Sequence, residues 1–319
     1  MFPAALMEAD EPFIAGSGHM LFRRVTRARA ARSVQTFFLA VLVALVLGSA
    51  AEAQTIIGVY ADADGQDSER DLDAFNAALG EKVGIDNNYE PFAWRKGTLE
   101  MSAYAIQLGI APMISWSAGD GHGGCILYSV ITGGAYDSVL KREAARVAAM
   151  GVPVYLRLFY EPTNLYEDAG CQGKNPKKFI AAYRYVVRFF RAAGATNAKW
   201  VWALCHAAYA DGSWPAWYPG REYVDEAGED VYDTVSGSLD PPVFPGNGLC
   251  SSGIDKPQMI SEAGAIGARD QRVWLNSVKV ACPNLSAFLY WDARGARGDF
   301  VIKDLRVFRA LAAIGDAVD

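Results

Sequence analysis

The sequence predicts an α/β protein that folds as a single (β/α)8 TIM barrel behind a cleavable signal peptide. Three observations carry this reading. Apolar, strand-like runs alternate with segments of helical spacing, the pattern of a parallel sheet with helical crossovers. Eight such units fall within residues 54–319, the length of one closed barrel. No linker-like stretch or internal repeat divides them. An open doubly wound sheet is the competing architecture, because alternation does not report closure. With 51% hydrophobic and 21% charged residues, the 319-residue chain can bury a large core, and disorder, collagen and coiled coil are excluded.

The leader comes first. From Met20 onward, Arg23, Arg24, Arg27, Arg29 and Arg32 precede an apolar run over 37–47, which ends in Ala51-Glu52-Ala53. That order is a secretory signal with a small-X-small cleavage site. Residues 1–53 are therefore expected to be an N-terminal extension and signal peptide, with 54–319 as the catalytic domain, exported and beginning at or near Gln54. Residues 1–19 hold neither a basic nor an apolar stretch, so Met20 is the expected start. The apolar run is shorter than the roughly 20 residues of a membrane span, and no stable membrane insertion is expected after cleavage. The location implied is secreted or periplasmic.

The first strand spans 55–60 and leads into a helix over 71–83, with Leu72, Phe75, Leu79 and Val83 on one face. Strand two (89–94) precedes a helix over 99–108, strand three (111–116) a helix over 135–150, and strand four (153–160) a helix over 176–193. Runs at 199–204, 229–235, 258–261 and 285–291 supply the remaining strands, and a last helix covers 301–314. The Gly-, Pro- and Ser-rich stretch 236–253 puts a long loop where a sixth helix is due.

Residues 54–319 carry 25 basic and 32 acidic side chains, which argues against a nucleic-acid partner. All five cysteines follow the leader, and an oxidising compartment favours disulfides. On a barrel, Cys125 and Cys171 lie in the neighbouring loops after strands three and four, while Cys250 and Cys282 precede strands seven and eight at the other end. These are the expected pairs, with Cys205 left single. No CxxC pair exists, and His122 and His206 are too few for a three-histidine centre, so neither a metal nor a cofactor is implied. Gly119-Asp120-Gly121-His122-Gly123-Gly124 fits GxGxxG by letter but opens no helix, and reads as a loop over the cleft. Asp62, Asp64, Asp67 and Asp71 lack the EF-hand spacing and read as a polar loop capping the first helix.

Two strands end in a glutamate. Glu161 closes the fourth and Glu262 the seventh, and the carboxyl ends of barrel strands form the active face. Two carboxylates there suit glycoside hydrolysis, with one as proton donor and the other as nucleophile or base. Trp94, Trp116, Trp202 and Trp291 fall at or near strand ends, where a ring can stack on a pyranose. Trp214, Trp217 and Tyr218 follow strand five as a rim for further sugars.

The segments around these residues occur in a recognisable order. They are Gly151-Val152-Pro153-Val154-Tyr155-Leu156-Arg157 before Glu161, Gly194-Ala195-Thr196-Asn197-Ala198-Lys199-Trp200-Val201-Trp202, Tyr218-Pro219-Gly220 with Tyr223-Val224-Asp225, and Lys256-Pro257 before Glu262-Ala263-Gly264. As a set they resemble glycoside hydrolase family 26, over nearly all of residues 54–319. The resemblance implies a retaining endo-β-glycanase of the β-mannanase kind, with Glu161 as acid/base and Glu262 as nucleophile. Arg157 matches the strand-four arginine that keeps the nucleophile ionised, Tyr232 the tyrosine that hydrogen-bonds it, and Trp291 the aromatic beneath the sugar in subsite -1. The family's His-Glu-Met-Asn-Gly-X-Trp reads here Tyr160-Glu161-Pro162-Thr163-Asn164-Leu165-Tyr166. Tyr160 replaces the histidine and Tyr166 the tryptophan, a departure that bears on mannan specificity. The expected substrate-binding set is thus Arg157, Tyr160, Asn164, Tyr166, Trp202, Tyr232, Trp291 and Trp116. The partner implied is a β-linked polysaccharide or oligosaccharide. Another β-glucan, a xylan or a bacterial exopolysaccharide are the alternatives, as is a barrel that binds carbohydrate without turnover.

Overall fold

The computed structural model describes residues 55–65, 69–92, 98–122, 124–164, 174–233, 244–295 and 298–312. The expected leader and cleavage site, Trp94, Asp67, Tyr166 and Cys171 lie outside them.

Eight parallel strands run in sequence order: β1 (Ile56–Asp62), β2 (Ile85–Pro91), β3 (Ala111–Ser117), β4 (Val154–Leu158), β5 (Ala198–Cys205), β6 (Glu226–Asp233), β7 (Gln258–Ala265) and β8 (Ala287–Gly295). β8 pairs in parallel with β1 over seven residues, so the sheet is closed and the open-sheet alternative falls. A two-residue strand, β9 (Gly298–Asp299), pairs antiparallel with β8.

The helices are α1 (Glu69–Leu79), α2 (Thr98–Gln107), α3 (Tyr128–Thr132), α4 (Asp137–Met150), α5 (Pro176–Ala192), α6 (His206–Ala210), α7 (Ala268–Ala281) and α8 (Leu305–Ala312). Helix α5 shows why they form. The Asn175 side chain accepts from the Lys178 N–H at 3.1 Å, Pro176 opens the first turn, and Phe179, Tyr183, Val186, Val187 and Phe190 form one buried stripe. After β6 the described residues hold only a 3-10 turn, Leu249–Ser251, where the alternation calls for a helix.

The barrel interior is layered. Its floor is apolar: Ile85, Met113, Val201, Ala203, Met259, Ala287 and Leu289. Gly58 completes this layer because no side chain fits there, since a Cβ would stand 2.6 Å from the Leu289 side chain. Above it lies a polar layer of Asn87, Ser115, Arg157, Asp230 and Ser261, all buried. The other face of each strand packs against the helices in two large clusters, one around Phe159, Phe179, Trp200 and Trp202, the other around Phe75, Trp274, Phe288 and Phe308.

One expected disulfide is present. Cys250 and Cys282 are bonded, tying the loop before β7 to the end of α7. Cys125 is disulfide-bonded as well, while its expected partner lies outside the described residues. Cys205 is free, as expected. Among the described residues no helix is long and apolar enough to cross a membrane.

Candidate active site

Strand parity decides what reaches the barrel mouth. On β4, Leu156 and Leu158 face the helices, so Arg157 points inward with no exposed surface. It donates from Nε to Ser115 Oγ at 2.8 Å and from Nη1 to Asp230 Oδ1 at 2.9 Å, and it pairs through Nη2 with Glu262 Oε1. Ser115 in turn donates to Asn87 Oδ1 at 2.6 Å. Burial alone would discharge the guanidinium, but Asp230 and Glu262 overcome it and hold Arg157 charged. Burial also pushes the Asp230 carboxyl well above the usual carboxylate range, against the pull of Arg157.

Glu262 reaches this layer through a break in register. Ile260 pairs with Glu229 and Glu262 with Asp230, so Ser261 is an extra residue in β7, a bulge. Met259 faces inward and Ile260 outward, and strict alternation would send Glu262 out towards the helices. With the bulge, Ser261 and Glu262 both point in. Ser261 donates to Asp230 Oδ1 at 2.5 Å, and Glu262 meets Arg157.

Three donors hold the Glu262 carboxylate. Arg157 and the Tyr89 hydroxyl, at 2.5 Å, converge on Oε1, and the Tyr232 hydroxyl donates to Oε2 at 2.6 Å. Burial first and the Glu262 charge second push both phenols well above their ordinary range, so both remain donors at neutral pH. Tyr232 stands where it does because Gly264 has no side chain: a Cβ there would lie 2.9 Å from the Tyr232 ring and 2.8 Å from Phe300.

Glu161 is set by a tight turn after β4. Phe159 and Glu161 both adopt left-handed backbone angles, with φ of 51° and 49°, at a cost of roughly 1 kcal/mol each. Phe159 enters the core while the Tyr160 ring lies over Arg157 at 4.5 Å. Asn164 Nδ2 donates to Glu161 Oε2 at 2.7 Å, and the Asn164 N–H to the Glu161 carbonyl at 2.8 Å. Both glutamates, only 9% and 8% exposed, lie in the carboxyl-terminal half of the barrel. An arginine and two phenols converge on Glu262.

Trp291 lies in the middle of β8, which runs on to Gly295 rather than ending at 291 as the sequence suggested, and is half-buried. Its ring stacks on Tyr60 at 6.0 Å and meets Tyr232 and Phe300 edge-on. Trp116 and Trp202 do not join it, which corrects the sequence expectation. Val201 and Ala203 face the interior, so Trp202 faces the helices, wholly buried against Tyr209, Trp214 and Tyr218. Trp116 is 2% exposed on the outer face of β3, donating from Nε1 to Glu90 at 3.0 Å. Trp217 is buried as well, while Trp214 and Tyr218 remain partly open.

Tyr89, Asp230, Asn87, Ser115 and Ser261 went unnoticed in the sequence. The available signal was a polar or phenolic residue interrupting a short apolar strand. In the Gly-rich segment, Asp120 accepts from the His122 and Gly124 N–H groups at 2.8 and 2.9 Å. Asp62, Asp64 and Asp71 have carboxylate oxygens within 4.8 Å of one another, with Arg70 paired to Asp64.

Residues 128–291, more than half of the chain, match the model of glycosyl hydrolase family 26. Over 178 residues the chain is 29% identical to Endoglucanase H of Acetivibrio thermocellus, covering 53% of this chain and 19% of that much longer protein. Its fold is similar to a Bacillus subtilis mannanase, BCman, with a TM-score of 0.62 at 18% identity over 80% of this chain and 84% of that one. It is also similar to a Bacteroides ovatus β-mannanase, with a TM-score of 0.61 at 16% identity over 83% and 90% of the two chains.

Proposed function

The chain belongs to glycosyl hydrolase family 26, and on that premise we propose that it is an exported, retaining endo-β-glycanase acting through Glu161 and Glu262. The observation that carries the proposal is the convergence of an arginine and two phenols on Glu262 in the barrel mouth that also holds Glu161. A carboxylate fixed by Arg157, Tyr89 and Tyr232 is held in place and aimed, as a nucleophile must be. Glu161, bonded to Asn164 on the turn after β4, is the carboxyl assigned to carry the proton.

Glu161 gives its proton to the glycosidic oxygen as a Glu262 oxygen attacks the anomeric carbon and the leaving sugar departs. Glu161 then takes a proton from water, which attacks the same carbon and returns the bonding pair to Glu262. The Trp291 face offers a platform for the apolar side of the reacting sugar. Residues 1–53 are the leader and 54–319 the catalytic domain, released to the periplasm or medium.

A β-1,4-mannan-like polymer is the favoured substrate, on the likeness to mannanases, with the relation to Endoglucanase H supporting another β-glucan as the second reading. Release of reducing ends from mannans, glucans, xylans and bacterial exopolysaccharides decides between them. Glu262→Ala is expected to lose turnover on whichever polymer is cleaved, with azide restoring cleavage as an inverted glycosyl azide. Glu161→Ala should retain attack on an aryl glycoside with an acidic phenol, and azide should release that sugar with retained configuration. Near-native turnover in both variants refutes the proposal.

A further inference from the structure

Tyr89 has no role in the sequence reading, yet its hydroxyl makes the closer of the two phenol contacts to Glu262, 2.5 Å against 2.6 Å for Tyr232. Its ring is fixed on three sides. Tyr60 meets it edge-on at 4.8 Å, Tyr160 at 5.6 Å, and the Arg157 guanidinium lies 5.5 Å from its centre. A hydroxyl on a ring so held is aimed rather than adrift.

A carboxylate has about two in-plane acceptor sites on each oxygen. Glu262 Oε1 receives Tyr89 and Arg157 and is filled, whereas Oε2 receives Tyr232 alone and keeps one site open. We infer that Tyr89 is a positioning residue that closes Oε1 and so commits Oε2 as the oxygen that attacks the anomeric carbon. The inference rests on the double displacement proposed above.

Its consequence falls unequally on the two steps. In the first, the Oε2–carbon bond forms as the glycosidic bond breaks, with the proton passing from Glu161 to the leaving oxygen. Oε1 then becomes the carbonyl oxygen of the glycosyl ester. In the second, water attacks the carbon, its proton passes to Glu161, and the Oε2–carbon pair returns to the carboxylate. The charge regained is shared with Oε1, where Tyr89 and Arg157 meet it. Removing Tyr89's hydroxyl makes the carboxylate a better nucleophile and a poorer leaving group, so the second step suffers more.

The test uses 2,4-dinitrophenyl β-glycosides of manno- and gluco-oligosaccharides, with whichever the wild type turns over. For Tyr89→Phe, the expected result is a kcat lower by roughly ten- to a hundredfold, a KM that falls with it, and a burst of phenol with glycosyl enzyme visible by intact-mass spectrometry. Replacing Tyr89 with 3,5-difluorotyrosine, whose more acidic phenol is a stronger donor, should weaken the accumulation instead. A Tyr89→Phe protein with wild-type kcat, or with kcat and kcat/KM lowered equally and no burst, overturns the inference. Should Tyr89→Phe fail to fold, an unchanged kcat-to-KM balance in the difluorotyrosine protein overturns it in the same way. The double displacement survives that outcome as long as Glu262→Ala remains inactive and azide-rescued. If Glu262→Ala keeps its activity, the functional reading itself fails.

Discussion

Glu90 gives the protein a stability that declines as the pH rises. It lies on the outer face of β2, 7% exposed, and burial pushes its carboxyl up to about 7 from an ordinary 4.5, with the Trp116 indole hydrogen bond and then Arg146 opposing the rise. The sign follows from linkage. Below 4.5 the group is protonated in both the folded and unfolded chain and costs nothing. Between 4.5 and about 7 the unfolded chain ionises first, so stability is lost until the folded form ionises too. At 1.36 kcal/mol for each pH unit, the gap is worth about 3 kcal/mol. Glu90→Gln keeps an acceptor for Trp116 and removes the titration. The variant should match the wild type in denaturant unfolding at pH 4 and exceed it by about 3 kcal/mol at pH 8, a rise in Tm of roughly 6–12 °C. Equal stability at pH 8, or the same difference at both pH values, refutes the reasoning.

Other perturbations test the supports of the site. Gly264→Ala places a Cβ 2.8 Å from Phe300 and 2.9 Å from Tyr232, so Tyr232 must leave Glu262; kcat should fall at least tenfold, with a stability loss of about 1–3 kcal/mol by denaturant unfolding. Asn164→Ala removes the 2.7 Å hydrogen bond to Glu161; kcat/KM on a polymer should drop roughly 10- to 100-fold, and much less on an aryl glycoside that needs no proton. Paired Cys250→Ser and Cys282→Ser open a link spanning 32 residues and should cost about 3–4 kcal/mol in chemical unfolding, with turnover at 25 °C preserved.

Much of this was legible in the chain, and the physics explains where legibility ended. Strands bounded by apolar runs were found close to their observed limits, as β3 and β5 show. β2 begins at Ile85 rather than 89 because Asp86, Asn87 and Asn88 are polar yet buried, bonded to one another and to Ser115. Glu161 and Glu262 stand out in the sequence as strand-ending acids, but Glu161 lies three residues beyond β4 and Glu262 inside β7, which continues to Ala265. The bulge that turns Glu262 inward leaves no mark in composition, since it is a matter of pairing register with β6. The same limit misled the reading of Trp116 and Trp202. Parallel strands covered on both faces are apolar throughout, so no alternation says which tryptophan faces the cleft. Tyr89 on β2, Tyr160 just after β4 and Tyr232 on β6 are far apart in the chain, and their convergence on Arg157 and Glu262 exists only once the barrel closes.

The central claim is a double displacement at one anomeric carbon, and the configuration of the first-formed product tests it most directly. With a β-linked polymer that the enzyme cleaves, proton NMR of the new reducing end within the first minutes should show the β-anomer, followed by slow mutarotation to the equilibrium mixture. A first-formed α-anomer would mean that water attacks directly, and Glu262, with its arginine and two phenols, would not be the nucleophile.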